Sequence, residues 1–333
     1  MSDITIIMPS YNKEKYIAQA LDSIFMQDTT YNYHVIVADD CSTDRTVEIV
    51  KQYQEKHPSK ITLLESECNQ KLYRNVRRAY EMTKTDYFCV LDPDDYWTDK
   101  GKIQKSLDFL ESHKDYTIYI TATDKITKDG KIEPFINTHK VVDSTFDDFL
   151  NNKAKLGHTL GCVFRNVIFK NGLPEKMVNL DCETCEQSFR GDTFRALVHL
   201  EKGKAHFVPE VDALYRITDE GIWQGSDDIS RDIFNATIFK DLWLYFDKKY
   251  PELLFISYKN YNLVKNDFIT TFKNIKNEQK IQQQAIQLSI LKELYDENEN
   301  SIEKCIMKLP YKQKIRYLIY KRMFKKLHRK GIV

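Results

Sequence analysis

The first 125 residues alternate short apolar runs with stretches whose apolar positions recur every three or four residues. Ile4 to Met8 is a β-branched run. Between Lys13 and Gln27, Ile17, Ala20, Leu21, Ile24 and Phe25 keep helical spacing. Tyr33 to Ala38 and Ile61 to Leu64 read as further strands. The helix between them runs through Val47, Val50 and Tyr53, with Ser42, Thr43 and Asp44 as its cap candidates. A helix over Arg74 to Thr83, a strand over Tyr87 to Leu91, a helix over Gly101 to His113 and a strand over Thr117 to Thr121 continue the alternation. Repeating β-α units predict an α/β fold, with a mostly parallel sheet flanked by helices and right-handed crossovers.

From Asp124 to Glu210 the pattern loosens. Asp129-Gly130 marks a hairpin turn, Gly161 to Phe164 and Phe207-Val208-Pro209 read as short strands, and Asp192 to Glu201 as a helix. Beyond Gly225, Gly and Pro become rare and long helical patterns take over, such as Ile281, Ala285, Leu288, Leu291 and Leu294. Two domains are expected, residues 1–225 and a helical region over 226–333.

Bulk properties narrow the function classes. With 42% hydrophobic and 30% charged residues the chain is an ordinary globular protein, and a net charge of +1 points to no nucleic-acid partner. Met1-Ser2-Asp3 lacks the basic start of a signal peptide, and no apolar run reaches the roughly 18–20 residues that span a bilayer. Seven cysteines at scattered spacings fit reduced cytoplasmic thiols. Cys182 and Cys185 form a close pair, but no second pair completes a zinc site. The expected location is cytoplasmic.

The tail changes that picture slightly. From Lys304 onward there is no acidic residue, and residues 312–330 read as a helix. Tyr317, Tyr320, Met323, Phe324 and Leu327 form one arc, opposed by Lys314, Lys321, Arg322, Lys325 and Arg329. An interfacial helix on the inner face of the membrane and an ordinary docked helix both fit this pattern.

The chemistry gathers at three predicted strand ends. Pro9-Ser10-Tyr11-Asn12 follows the first strand, Asp39-Asp40-Cys41-Ser42-Thr43-Asp44 the second, and Asp92-Pro93-Asp94-Asp95 the fourth. In a parallel sheet these loops share one edge, where open sheets hold their ligands. A tyrosine beside a carboxylate suits a nucleobase. Clustered carboxylates suit Mg²⁺ or Mn²⁺ on a diphosphate, although an acidic turn capping a helix is the plainer reading of Asp92 to Asp95 alone.

These loops resemble those of glycosyltransferase family 2, the inverting, nucleotide-sugar-dependent enzymes of the GT-A fold that include bacterial cell-surface polysaccharide enzymes. Gln27, Asn69 with Arg74-Asn75, Arg190-Gly-Asp-Thr-Phe194 and Tyr215-Arg216 extend the match, which covers about residues 3–222. The resemblance implies that Pro9 and Tyr11 line a nucleobase pocket, that Asp40 meets a uracil-type base edge, and that Arg74 neighbours the nucleotide. It implies that Asp92, Asp94 and Asp95 form the metal and diphosphate motif, with Asp94 and Asp95 touching metal or ribose. Asp192 falls at the general base. The implied donor is a UDP-sugar, the cofactor Mn²⁺ or Mg²⁺, and the acceptor a glycan or lipid-linked saccharide. Cys41 and Gln70 stand where the family keeps glycine, so unusual backbone angles are expected there.

Each candidate has a plainer alternative. Asp192 precedes an apolar helical run and serves equally as an N-cap. Arg190 and Arg216 are phosphate contacts or surface residues. His158 lines the acceptor side or is structural. Trp223 is a sugar platform on a lid or part of the core. The competing functions are a nucleotidyltransferase, whose Gly-rich phosphate loop is missing after the first strand, and a sugar-nucleotide-binding scaffold without catalysis. A dinucleotide oxidoreductase is disfavoured because no GxGxxG follows that strand.

Overall fold

The computed structural model describes residues 3–136, 139–178, 191–218, 226–271 and 278–308. Arg190, Trp223, Cys182, Cys185 and the basic stretch 312–330 lie outside the described residues. The chain divides into two compact units, Met1–Gly225 and Ser226–Val333.

The first unit is a ten-stranded mixed sheet with helices. It begins with β1 (Ile4–Ser10), α1 (Ile17–Phe25), β2 (Tyr33–Asp39), α2 (Thr46–Lys56), β3 (Ile61–Glu65), α3 (Lys71–Met82) and β4 (Tyr87–Val90). β3, β2, β1 and β4 lie side by side and parallel, as the β-α alternation predicts. Every residue of β1 and β4 is buried, which explains their largely apolar sequences. Ile17, Ala20, Leu21 and Ile24 of α1 are fully buried and join Ile6, Met8, Val35 and Val37 in the core.

The second half of the sheet departs from the parallel pattern. A two-residue strand, β5 (Tyr96–Trp97), precedes α4 (Lys102–Ser112) and the long β6 (Tyr116–Ile126). β6 turns at Gly130, with φ at +81°, into β7 (Ile132–Pro134), the hairpin that Asp129-Gly130 announced. β8 (Val142–Ser144), α5 (Phe146–Leu150) and β9 (Cys162–Arg165) follow, and β9 lies antiparallel between β4 and β6. Next come α6 (Glu175–Val178), α7 (Asp192–Leu200) and β10 (Lys204–Arg216). β10 runs parallel to β6, with register irregularities around Val208 to Ala213, and antiparallel to β5 and β8. The sequence marked only Phe207 to Pro209 of this thirteen-residue strand.

A buried ion pair ties this region together. Lys102, 1% exposed, donates to both carboxylate oxygens of Asp212 at 2.9 and 2.8 Å. The Thr121 hydroxyl donates to the same carboxylate at 2.6 Å, and the Thr98 N–H binds the Asp212 carbonyl. Burial pushes the Asp212 carboxyl upward against the pull of Lys102.

The second unit, over its described residues, is helical: α8 (Asp228–Tyr245), α9 (Pro251–Thr271), α10 (Glu278–Glu297) and α11 (Glu299–Lys308). Asp227 caps α8 by accepting the Ser230 N–H at 2.8 Å. Ser257 donates to the Ala236 carbonyl and pairs with the Tyr295 hydroxyl, locking α8, α9 and α10. Among the described residues no helix is long and apolar enough to cross a membrane.

Candidate functional site

The carboxyl ends of β1, β2 and β4 adjoin, so the three loops singled out by the sequence meet at one sheet edge. Pro9 belongs to β1 and Tyr11 stands 43% exposed just beyond it. Asn12 turns the chain sharply, with φ at +51°. Its N–H donates to Ser42 Oγ at 2.9 Å and its Oδ1 accepts the Thr43 N–H at 2.8 Å. The next N–H, of Lys13, binds Thr46 Oγ1 at 2.7 Å.

The second loop is built on buried acids. Asp39 accepts both the N–H and the hydroxyl of Ser42, at 2.8 and 2.5 Å. Asp40, 3% exposed, accepts the Gln70 N–H at 2.7 Å. Of the expected caps Ser42, Thr43 and Asp44, only Asp44 meets α2, accepting the N–H of Thr46, its first residue. Arg45 occupies the cap without a side-chain bond, and Asp44 spends its oxygens on Thr46 and on the Glu14 N–H. These polar residues lace one loop to the other, which matters more to the site than one helix end.

The two substituted glycines behave differently. Cys41 does adopt the left-handed region, φ +66°. Gln70 does not, at φ −89°, and the left-handed residue is the next one, Lys71, at +72°. Arg74 lies exposed on α3. One turn later Arg78, which the sequence reading passed over, reaches back to the sheet edge and donates to the carbonyls of Leu64 and Asp39.

The acid cluster follows β4. Burial, then the charges of Asp94 and Asp192, raise the Asp92 carboxyl to about 7, against the opposing pull of Arg195 and Lys13. Asp94 takes the Lys13 ammonium at 2.7 Å. Asp95, 2% exposed, accepts the Arg216 N–H at 2.7 Å, and burial beside two other acids holds its carboxyl well above the usual range. The Arg216 guanidinium donates to the Asp94 carbonyl and to Gln19 Oε1, and lies over the rings of Tyr16 and Tyr96. It braces the acid loop from β10.

Among the described residues no three His, Cys, Asp or Glu side chains converge as a closed metal site. Asp95 gives one carboxylate oxygen to the Arg216 N–H of β10, which sets it apart from Asp92 and Asp94 in the acid loop. The remaining pair fits a divalent ion nonetheless. Hard carboxylate oxygens suit Mg²⁺ or Mn²⁺, which take one or two protein carboxylates and complete their shell with phosphate and water. The Asp92 carboxyl is raised first by burial and then by the charges of Asp94 and Asp192, both of which a bound cation would offset.

Asp192 opens α7 and is not its cap, since Gly191 holds that position. Its side chain is 62% exposed and anchored at 2.8 Å by Arg195, which is 2% exposed. Arg195 also donates to the Tyr80 hydroxyl at 2.9 Å and to Thr159. A guanidinium buried among α3, the segment before β9 and α7 thus fixes one carboxylate oxygen of Asp192. The charge of Asp192 is felt at the Asp92 carboxyl. His158 is their neighbour, and burial lowers its imidazole while Asp192 pulls it up. Its Nδ1 accepts the Leu160 N–H, and its ring packs against Tyr215 at 4.6 Å and edge-on to Phe135 at 4.7 Å. The structural role and the place beside Asp192 coincide.

Comparison with known proteins agrees with this architecture. The family profile described as Glycosyl transferase family 2 matches residues 5–176. Uncharacterised proteins of Mycobacterium bovis and Mycobacterium tuberculosis are 27% identical over 224 residues, 67% of this chain and 61% of their own length. The chain thus spans less than two thirds of those relatives. The putative teichuronic acid biosynthesis glycosyltransferase TuaG of Bacillus subtilis is 31% identical over 162 residues, 48% of this chain and 60% of TuaG. Among solved structures, residues 1–349 of TarS from Staphylococcus aureus with UDP-GlcNAc share the fold at a TM-score of 0.60 and 17% identity, covering 99% of this chain and 92% of that one. The fold is GT-A, the profile spans more than half of the sequence, and the chain belongs to glycosyl transferase family 2.

Proposed function

We propose that the chain is an inverting glycosyltransferase that moves a sugar from a UDP-sugar to a hydroxyl of a glycan or lipid-linked saccharide in cell-envelope polysaccharide synthesis. The observation that carries the reading is one constellation. An acid loop follows β4 where β1, β2 and β4 end, and a solvent-facing Asp192 is held by Arg195, whose guanidinium also bonds Tyr80 of α3 and Thr159.

In this reading Pro9 and Tyr11 receive the base, and Asp40, fixed by the Gln70 N–H, meets its edge. Asp92 and Asp94 hold Mn²⁺ or Mg²⁺, which when bound stabilises the charge of the departing diphosphate. Asp95 keeps the loop in place through Arg216. Asp192 accepts the proton of the acceptor hydroxyl as that oxygen attacks the anomeric carbon. Arg195 occupies one of its oxygens and orients the carboxylate. A single base opposite the leaving group gives inversion, and His158 with Tyr215 lines the acceptor side. The unit Met1–Gly225 is the catalytic domain and the helical unit an accessory one.

Two substitutions test the assignment, with UDP and Mn²⁺ binding measured by calorimetry and transfer by UDP release. Asp94→Ala is expected to lose Mn²⁺-dependent UDP binding. Asp192→Asn is expected to bind UDP like the wild type and to transfer about 10²–10⁴-fold more slowly. Wild-type transfer by Asp192→Asn refutes the base, pyrophosphate among the products marks a nucleotidyltransferase, and binding without turnover marks a scaffold. A cytoplasmic enzyme held at the inner membrane face through residues 312–330 fits a lipid-linked acceptor. Full-length protein is expected to co-sediment with anionic liposomes and a chain ending at residue 311 to stay in solution; equal partitioning refutes the contact.

A further inference from the structure

The acid cluster already has a cation. Lys13 meets Asp94 at 2.7 Å with both side chains mostly shielded, at 16% and 17% exposure. That sets the pair apart from surface ion pairs, which solvent screens.

The chain is built to aim this lysine. Asn12 sits in the left-handed region at φ +51°. Three hydrogen bonds tie the turn to the β2 loop and the start of α2: Asn12 N–H to Ser42, Thr43 N–H to Asn12 Oδ1, and Lys13 N–H to Thr46. The root of the side chain is therefore held while its four-carbon stem crosses to the β4 loop. Two other cations of the site, among the described residues, are fixed by several bonds each. Arg195 binds Tyr80, Thr159 and Asp192, and Arg216 binds Asp94, Gln19 and two aromatic faces. Lys13 is a compact point charge on a flexible stem, the kind of cation that can exchange one anion for another.

We propose that Lys13 is a built-in counter-cation of the donor site. Its ammonium neutralises Asp94 while no nucleotide is bound. The divalent ion therefore binds well only together with a nucleoside diphosphate, whose oxygens offer the ammonium another anion. The inference rests on reading Asp92 and Asp94 as the metal and diphosphate site. It adds an order of binding: metal and nucleotide enter as coupled ligands, and each strengthens the other by the same factor.

The test uses Mn²⁺ alone, UDP alone and the two together, on wild type, Lys13→Met and Lys13→Arg. Free Mn²⁺ is followed by its paramagnetic resonance signal and UDP by calorimetry. Lys13→Met removes a unit charge that opposes the ion within a few ångströms, so Mn²⁺ alone is expected to bind about tenfold or more tightly. The same variant is expected to bind UDP with Mn²⁺ more weakly, so the coupling between the ligands shrinks. Lys13→Arg keeps the charge and is expected to keep the wild-type order, which also controls for loss of fold. If Lys13→Met leaves Mn²⁺ affinity unchanged or lowers it while the wild type still binds Mn²⁺ with UDP, the counter-cation fails and the metal site stands. If the wild type binds no Mn²⁺ even with saturating UDP, the metal-site reading and this inference fall together.

Discussion

Replacing Lys102 by methionine removes the ammonium from a pair buried at 1% and 3% exposure. Asp212 is then left with the Thr121 hydroxyl but without that counter-charge. Breaking one side of a buried pair costs about 3–5 kcal/mol, because the partner charge stays desolvated. A cavity of about 180 Å³ borders the pair, and water entering it favours the lower end of that range. For a unit of this size each kcal/mol lowers Tm by about 2–4 °C, so a fall of about 6–12 °C is expected. The double variant Lys102→Met/Asp212→Leu removes both charges and is expected to recover at least about 2 kcal/mol relative to the sum of the single variants. The assay is urea unfolding of wild type, both single variants and the double variant, followed by tryptophan fluorescence, since Trp97 lies over the Lys102 ammonium. A Lys102→Met protein within about 1 kcal/mol of wild type, or strictly additive effects, refutes the reasoning.

Two further outcomes follow from single residues. His199 is fully buried; its Nδ1–H binds the Arg195 carbonyl at 2.7 Å and burial lowers its imidazole to about 3. Its folded value lies below the unfolded one of about 6.5, so its stabilising contribution is complete above pH 6.5 and is lost as pH falls toward 3; it drops by about 2 kcal/mol by pH 5. Urea midpoints between pH 5 and 7 are expected to flatten in His199→Leu relative to wild type, and an unchanged slope sinks the assignment. Cys41 sits at φ +66°. Cys41→Val is expected to be less stable than Cys41→Gly by about 1–2 kcal/mol, the strain of a β-branched side chain in that region, and equal urea midpoints count against it.

What the sequence revealed depends on which physical rule governs each residue. β1 and β4 were legible because strands buried on both faces are largely apolar, β2 and β3 because their β-branched runs alternate with helical patterns, and Asp40 and Asp92 to Asp95 because carboxylates after such strands stand out. β10 was hidden. Pro209, Glu210 and Asp212 interrupt its apolar pattern, and irregular register lets the strand continue through them. β5 is too short to carry any period. Lys102 and Asp212 defeat the expectation that charges lie outside, an expectation that holds except where charges are paired. Lys13, Arg78 and Arg195 have partners 81, 14 and 115 residues away, and no local pattern encodes such distances.

The bond from the Arg216 N–H to Asp95 spans 121 residues. During synthesis the acid loop emerges long before the strand that completes it. At about 5–20 residues per second, Asp95 waits on the order of ten seconds for its partner. Until then a carboxyl destined for burial has only water to satisfy it, so β4 and its loop cannot settle into their final form. Contacts of this sequence separation also form slowly, because the intervening chain must first be ordered. The acid loop is therefore among the last parts of the unit Met1–Gly225 to mature, and a chain released before residue 216 lacks the strand that sets its acids.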